Sequence, residues 1–338
     1  MTANVQKTYV KNWSRDEWLQ FRQGGIGGSD IGTLLCMNPY KCAAQLFLEK
    51  IGLYPVVEQE SLPMFMGKYM EDKVAELWQY WNGYPESIIE NYTKGIKLNK
   101  CRRVNAYLAN PKYPALLASI DREITHRNHE KKRGVLECKT INGMYAQKWE
   151  AGIPPYHVAQ VQQYLLVTEY DYAEIAMLID GREMKVLEFE PDEVFQQTII
   201  QTAENFWTKV CKARLVASDL LTEEAKADPD VNKVIDLEEE IRSLEPDADG
   251  SEAYETFMKT RYANPEGVRE GNSEEVEIVK AFTQEKQSLK LQQSKLQESK
   301  NKLIQMIGGY EQISFPGGGK ITYRPDSRGR KSLRVSVT

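Results

Sequence analysis

The sequence predicts a mixed α/β domain, followed by a helical segment and a small β element. Three observations predict it. Helical and strand periodicities are interleaved through the first two thirds of the chain. All six Trp, all five Cys and all three His lie at or before Cys211, so the aromatic core belongs to that part. Charge divides the 338 residues in three: residues 1–216 carry 26 basic and 26 acidic side chains, 217–316 carry 12 and 22, and 317–338 carry six and one. At roughly 100–200 residues per domain, this length implies about two domains.

In chain order, Ser14 is placed to cap a helix over 15–23, with Glu17 as the capping-box partner. Gly24-Gly25-Ile26-Gly27-Gly28 reads as a loop. Ser29 then caps a helix beginning at Asp30, which Asn38-Pro39 ends. Residues 41–51 read as helix. Residues 66–81 form an amphipathic helix with Met70, Val74, Leu77, Trp78 and Trp81 on one stripe. Alternation predicts strands over 87–97 and 104–110, and paired strands over 115–124 and 134–141 with a polar hairpin loop between them. Residues 156–167 form a helix after Pro154-Pro155. A strand pair follows over 173–180 and 184–190, and then a long helix from Pro191 to about 216.

Beyond 216, Val234, Leu237, Ile241 and Leu244 follow core spacing, and Phe282, Leu289, Leu296 and Leu303 recur every seven residues. The two stretches are expected to pair as an antiparallel helical hairpin. Gly308-Gly309 ends the second helix, and short strands are expected over 312–316, 320–324 and 332–337. The expected organisation is therefore 1–216, an acidic helical region 217–316, and a basic β element 317–338.

Several classes are excluded. The 41% apolar content and six Trp exclude wholesale disorder. No run of about 18 apolar residues suggests a membrane span. The N-terminus has no apolar stretch of the secretory kind. Five cysteines without CxxC spacing read as reduced thiols, so the expected location is cytoplasmic. The net charge of −5 argues against nucleic acid only as an average over unlike regions.

The chemistry lies in Asp121, Glu137 and Lys139. Residues i and i+2 of a strand share a face, so Glu137 and Lys139 point together, and a hairpin can bring Asp121 beside Glu137. Clustered carboxylates are costly without a cation. Oxygen-rich sites suit Mg²⁺ or Mn²⁺. Taken alone, the triplet also describes a surface salt bridge. Glu137 nevertheless sits in the apolar context Val135-Leu136-Glu137-Cys138, where a charge needs a reason. Glu71 adjoins the apolar stripe of its helix and is placed to add a third carboxylate. Gln160 and Gln163 offer amides for a water or phosphate, with a solvated helix face as the plain alternative.

Five separated motifs, in order, resemble the YqaJ-like viral recombinase family, whose best-known relative is the phage lambda exonuclease, within the PD-(D/E)xK nuclease superfamily. They are Trp18-Leu19-Gln20-Phe21-Arg22 with Gly25-Ile26-Gly27-Gly28-Ser29; Gly67-Lys68-Tyr69-Met70-Glu71; Ala118-Ser119-Ile120-Asp121, with Ile120 where the superfamily has proline; Leu136-Glu137-Cys138-Lys139; and Tyr156-His157-Val158-Ala159-Gln160-Val161-Gln162. The resemblance spans about Trp18 to Thr168 and implies a restriction-endonuclease-like α+β core, a mixed sheet flanked by helices. It implies that Asp121, Glu137 and the Cys138 carbonyl bind one Mg²⁺, with Mn²⁺ a substitute. Glu71 would serve a second ion, and Lys139, supported by Gln160, would orient or deprotonate the attacking water. Arg22 and Ser29 match 5′-phosphate-binding positions.

The implied activity is 5′→3′ digestion of one strand of double-stranded DNA, leaving a 3′ tail for a RecT-like single-strand annealing protein. Toroidal relatives are homotrimers. An endonuclease of the same superfamily and a non-catalytic DNA-binding adaptor are the alternatives. Trp18 is expected in the core, with base stacking the other reading. Arg324, Arg328, Arg330 and Lys331 of the basic tail are expected either as a solubilised edge or as DNA contacts.

Overall fold

The computed structural model describes residues 5–10, 12–56, 61–125, 132–146, 152–264, 267–325 and 329–336. The chain divides into two compact units, Met1–Ala263 and Asn264–Thr338.

The first unit runs β1 (Gln6–Tyr9), α1 (Arg15–Gln23), α2 (Gly28–Leu34), α3 (Ala43–Ile51), α4 (Leu62–Trp78), α5 (Glu86–Thr93), β2 (Lys100–Arg103), β3 (Ala106–Ala109), β4 (Leu117–Ala118), β5 (Arg122–Thr125), β6 (Gly134–Ile141), α6 (Gly143–Ala146), α7 (Pro155–Thr168), β7 (Tyr172–Ile179), β8 (Glu183–Phe189), α8 (Glu193–Glu224), α9 (Val231–Leu244) and α10 (Glu252–Arg261). Its main sheet has the order β2-β5-β6-β7-β8, and a small sheet has the order β1-β3-β4. Neighbours in the main sheet are antiparallel except β6 and β7, which run parallel and are joined through α7. A parallel pair needs such a crossover, and the helix covers the sheet face it crosses. The expected α+β core, a mixed sheet flanked by helices, is what forms.

Strand alternation explains the two layers. Val135, Ile175 and Met177 face a cluster with Ile31, Phe47, Leu165 and Phe206, drawn from α2, α3, α7 and α8. Leu136, Ala176 and Leu178 face the other way, onto Val74 and Trp78 of α4. All eight residues of β7 are buried, as a central strand covered on both faces requires. Its Glu174 carboxylate accepts the buried Trp78 indole N–H at 2.6 Å, which gives this core acid a structural partner.

Local signals were followed in most places. Ser14 and Glu17 form their capping box. Asp192 caps α8 through the Phe195 N–H. The expectation of a strand over 87–97 is overturned, because 86–93 is helix α5. Ser87 there accepts the Asn82 N–H and donates to the Tyr84 carbonyl, closing the turn that starts the helix.

The boundary expected near residue 216 falls inside α8, which continues to Glu224 with Val216, Ala217 and Leu220 buried. The stripe of α9 has a partner other than the one expected: Ile241 is buried in the main core, with Val234, Leu237 and Leu244 packed against it. Glu223 holds the turn from α8 into α9, accepting from Lys226 at 2.7 Å, Lys233 at 2.8 Å and the Asp230 N–H at 3.2 Å. Ala253 and Phe257 of α10 join the same core. This apolar burial extends the first unit to residue 263.

The second unit holds α11 (Ser273–Ile307), β9 (Gln312–Ser314), β10 (Lys320–Pro325) and β11 (Lys331–Ser336), with β10 central and both pairings antiparallel. Asn272 and Glu275 form a capping box at the start of α11, and Gly308 ends it. Ile307 and Ile321 are buried, while Phe282, Leu289 and Leu296 of the heptad stripe stay exposed.

Candidate active site

The segment expected as one strand over 115–124 is two. Leu117–Ala118 pairs in the small sheet, Arg122–Thr125 pairs in the main sheet, and Ser119-Ile120-Asp121 crosses between them. The β5–β6 ladder begins at Arg122 opposite Leu136, so Asp121 and Glu137 lie just beyond its end. With no strand partner on that side, the Cys138 N–H donates to Asp121 Oδ2 at 2.8 Å. Glu137 and Lys139 share the sheet face that looks onto α7. Lys139 Nζ donates to Glu137 Oε1 at 2.6 Å, and Gln160 Nε2 donates to the same oxygen at 2.8 Å. Gln160 also donates to Tyr164 Oη at 2.9 Å, which fixes the amide. The structure thus brings together Asp121, Glu137, Lys139 and Gln160.

The electrostatics of this cluster ask for a cation. Glu137 is 4% exposed, and its Oε2 is buried without a hydrogen-bond partner. A buried carboxylate oxygen left in that state costs about 1–3 kcal/mol or more. Burial, then the charges of Glu137 and Glu71, push the Asp121 carboxyl well above the usual carboxylate range. Burial disfavours the Lys139 ammonium, but Glu137 and Asp121 outweigh it and hold its pKa above the ordinary value. Burial and the Lys139 charge push His157 down to about 3, so it is neutral at pH 7. Paired carboxylates with an unsatisfied oxygen are the donor set a hard divalent ion takes.

Glu71 is placed differently from the expectation. Its Oε1 accepts from Arg122 Nη1 at 2.6 Å and from Arg103 Nη2 at 2.8 Å. Arg122 is itself buried, donates to the Asp121 carbonyl at 2.6 Å, and grips Asp72. Among the described residues, no three His, Cys, Asp or Glu side chains converge into a ready ligand set. The pair Asp121 and Glu137 is complete, while the third carboxylate is held by guanidiniums. The sequence reading missed Arg122, although alternation signals it: following Asp121 on the strand, it must point to the α4 layer.

The motif of a YqaJ-like viral recombinase domain matches residues 17–171. The uncharacterized protein YqaJ of Bacillus subtilis (strain 168) is 32% identical over 271 residues, which cover 79% of this chain and 70% of that protein. The chain belongs to the YqaJ-like viral recombinase family. Among solved structures, the alkaline exonuclease LHK-Exo of Laribacter hongkongensis superposes with a TM-score of 0.46 at 15% identity, over 62% of this chain and all of that one. A phage-related exonuclease of Haemophilus somnus 129PT does so with a TM-score of 0.37 at 10% identity, with the same coverage.

In this YqaJ-like chain, the glycine loop beside α2 departs from the expected capping. The helix starts at Gly28, so Ser29 lies inside its first turn, and Asp30 Oδ2 takes the Gly27 N–H at 3.1 Å. Arg22 Nη2 donates to Ser29 Oγ and to Asp30 Oδ1, each at 3.4 Å. Its guanidinium lies 4.7 Å from the Trp18 ring centre, as does that of Arg15, so half-buried Trp18 packs against two cations. Buried Lys50 meets Asp30 Oδ2 at 3.1 Å and donates to the carbonyls of Arg22 and Gly25 at 2.7 Å. Burial would raise the Asp30 pKa, but Lys50 and Arg22 prevail and hold it at about 2. Arg22, Asp30, Lys41, Glu49 and Lys50 line a cavity of about 350 Å³.

This loop and the carboxylate cluster are coupled through α7. A Cβ on Gly28 would lie 2.3 Å from the Tyr164 ring, so only glycine allows α2 to approach the residue that positions Gln160. Gln163, expected to offer its amide to a water or phosphate or else to lie on a solvated face, is fully buried and donates to the carbonyls of Ile26 and Leu117 at 2.9 Å. Its amide ties the glycine loop to β4.

Of the tail residues, Arg324 lies on β10 and Lys331 on β11, and Arg330 directly precedes β11. Arg328 lies outside the described residues, as do His126 and His129. All five cysteines are free thiols. No helix among the described residues is long and apolar enough to cross a membrane.

Proposed function

We propose that this protein is a divalent-metal-dependent exonuclease that digests one strand of duplex DNA 5′→3′ and leaves a 3′ single-stranded tail for recombination by annealing. The observation that carries this reading is the Asp121–Glu137 pair at the open end of the β5–β6 ladder, with one Glu137 oxygen buried and unsatisfied and Lys139 bonded to the other. Asp121 and Glu137 would hold Mg²⁺ or Mn²⁺ with the Cys138 carbonyl, and Glu71 would have to leave Arg103 and Arg122 to serve a second ion. The ions supply polarisation of the scissile phosphate and a water of lowered pKa.

The chain's own groups do the rest. Lys139, bonded to Glu137 beside Asp121, is placed to orient or deprotonate a water and to offset developing negative charge. Gln160 and Tyr164 fix the Glu137 carboxylate, as a supporting shell must. Arg22, stacked on Trp18 beside the Ser29 hydroxyl, presents the donor fork that suits a terminal 5′-phosphate. Family membership supports double-stranded DNA as substrate, a RecT-like annealing protein as the recipient of the tail, and a trimeric assembly.

Linear duplexes labelled at either 5′ or 3′ ends, beside a closed circle, test the reading in Mg²⁺. The label at the 5′ end is released early, the 3′ label persists, and the circle survives. Cutting of the circle makes the enzyme an endonuclease. Arg22→Ala removes the preference for 5′-phosphorylated over unphosphorylated ends. Equal loss on both ends discards the phosphate role.

A further inference from the structure

The second unit carries a surface that the nuclease chemistry does not use. On β10, Ile321 and Tyr323 point to the face that buries Ile321, so Lys320, Thr322 and Arg324 point to the other. The register extends that second face across the sheet: Thr322 lies opposite Arg334 and Gln312, and Arg324 lies opposite Ser332. Arg334 is therefore diagonal to both Lys320 and Arg324, a spacing of about 7–8 Å on one face. These six side chains line a shallow cavity of about 520 Å³.

Three cations this close repel one another; Pro325, Val335 and Ser336 complete the cavity lining and add no charge to offset them. Among the described residues, the carboxylate in contact is that of Glu311, 3.4 Å from Arg324 Nε, and both side chains are mostly exposed. Such a pair is worth at most about 1 kcal/mol and exchanges readily for a stronger anion. Lys331 belongs to the opposite face, where its ammonium lies 5.7 Å from the Tyr323 ring centre.

We propose that the face of Lys320, Thr322, Arg324 and Arg334 binds the sugar–phosphate backbone of duplex DNA, a proposal that rests on the nuclease reading above and gives it a second DNA contact. Arg, Lys, Ser, Thr and Gln are the side chains that reach phosphate oxygens, and such contacts position a protein without reading sequence. The face has no aromatic side chain. Single strands are held by stacking bases on aromatic rings, so duplex is the better match.

The test measures binding of a short duplex by the full chain in EDTA, where no cutting occurs, across a range of salt. Each phosphate neutralised contributes about −0.9 to the slope of log K against log salt. The triple variant Lys320→Ala, Arg324→Ala, Arg334→Ala is expected to flatten the slope by about 2.7 and to weaken binding at least about tenfold near 0.1 M salt. Single Arg324→Gln and Arg334→Gln variants are each expected to flatten it by about 0.9. An unchanged slope in all three variants overturns the proposal while leaving the nuclease reading intact. Loss of single-strand binding with duplex binding retained also overturns it. Failure of the parent chain to bind duplex overturns the nuclease reading and this proposal together.

Discussion

At the scale of single residues, the site is a set of charges that satisfy one another incompletely. Lys139 and Gln160 occupy one oxygen of Glu137 and leave the other bare. A divalent ion that binds the folded chain alone stabilises it by RT ln(1 + [ion]/Kd), about 2.7 kcal/mol at a hundredfold excess over Kd. Mg²⁺ is therefore expected to raise the melting temperature by several degrees, and Glu137→Gln to remove both that rise and DNA digestion. Calorimetry with and without Mg²⁺ reads the first effect and end-labelled DNA the second; a full Mg²⁺ response in the variant would place the ion elsewhere. Asp30 gives the opposite case, a buried carboxylate fully paired by Lys50 and Arg22. Its pKa falls from the ordinary 3.8 to about 2, so the folded state favours its ionised form. That contribution, about 2 kcal/mol, is complete above pH 5 and is lost as pH falls towards 2. In Asp30→Asn, stability is expected to depend less on pH across that window, with most of the deficit seen at neutral pH. Chemical denaturation at pH 2, 3.5 and 6 checks it, and curves parallel to the parent's would refute the pairing.

At the scale of elements, what was legible followed from local rules, and what was missed followed from tertiary ones. The capping box of α1, the β6–α7–β7–β8 run and the end of α11 at Gly308 are written in short-range signals, and all formed. The placement of Asp121 was legible only in outline. The spacing to Glu137 brought the two together, but the change of sheet between Ala118 and Arg122 has no local signal. Glu71 was read from its helix, yet its orientation depends on Arg103 and Arg122, which are 32 and 51 residues away in sequence. The end of α8 was missed for a similar reason. Its apolar positions after 216 find their use only when α9 folds back, an event that composition does not encode. A chain ending at 216 exposes the remaining core against which Ile241 and Phe257 pack. A chain ending at 263 keeps it covered. The fragment 1–263 is expected to unfold cooperatively and the fragment 1–216 to melt many degrees lower or fail to fold. Circular dichroism melts of the two decide it, and equal melting temperatures would mean that α9 and α10 contribute nothing to the core.

At the scale of the whole molecule, the unit boundary at 263 redistributes the charge. The first unit carries 31 basic and 40 acidic residues, a net −9, and the second carries 13 and 9, a net +4. The acidic excess belongs to the end of α8, to α9, α10 and their connections, which are all part of the first unit. The remaining 75 residues are the cationic part of the chain. On the nuclease reading proposed above, a unit of net negative charge would meet a polyanion unfavourably except where Arg22, Lys139 and a metal ion would face it, and long-range repulsion of this kind is strongest at low salt. A cationic unit on the same chain offsets it, because a second contact on a linked module raises the effective concentration of DNA at the first. The fragment 1–263 is thus expected to retain turnover at saturating duplex while its KM rises at least about tenfold, since the cations of the second unit act on binding and not on the reacting phosphate. Its affinity is also expected to fall less steeply with salt than that of the full chain, because fewer counterions are released. Initial rates against DNA concentration at two ionic strengths measure both effects. A KM and salt dependence identical to those of the full chain would leave the second unit without a part in binding DNA.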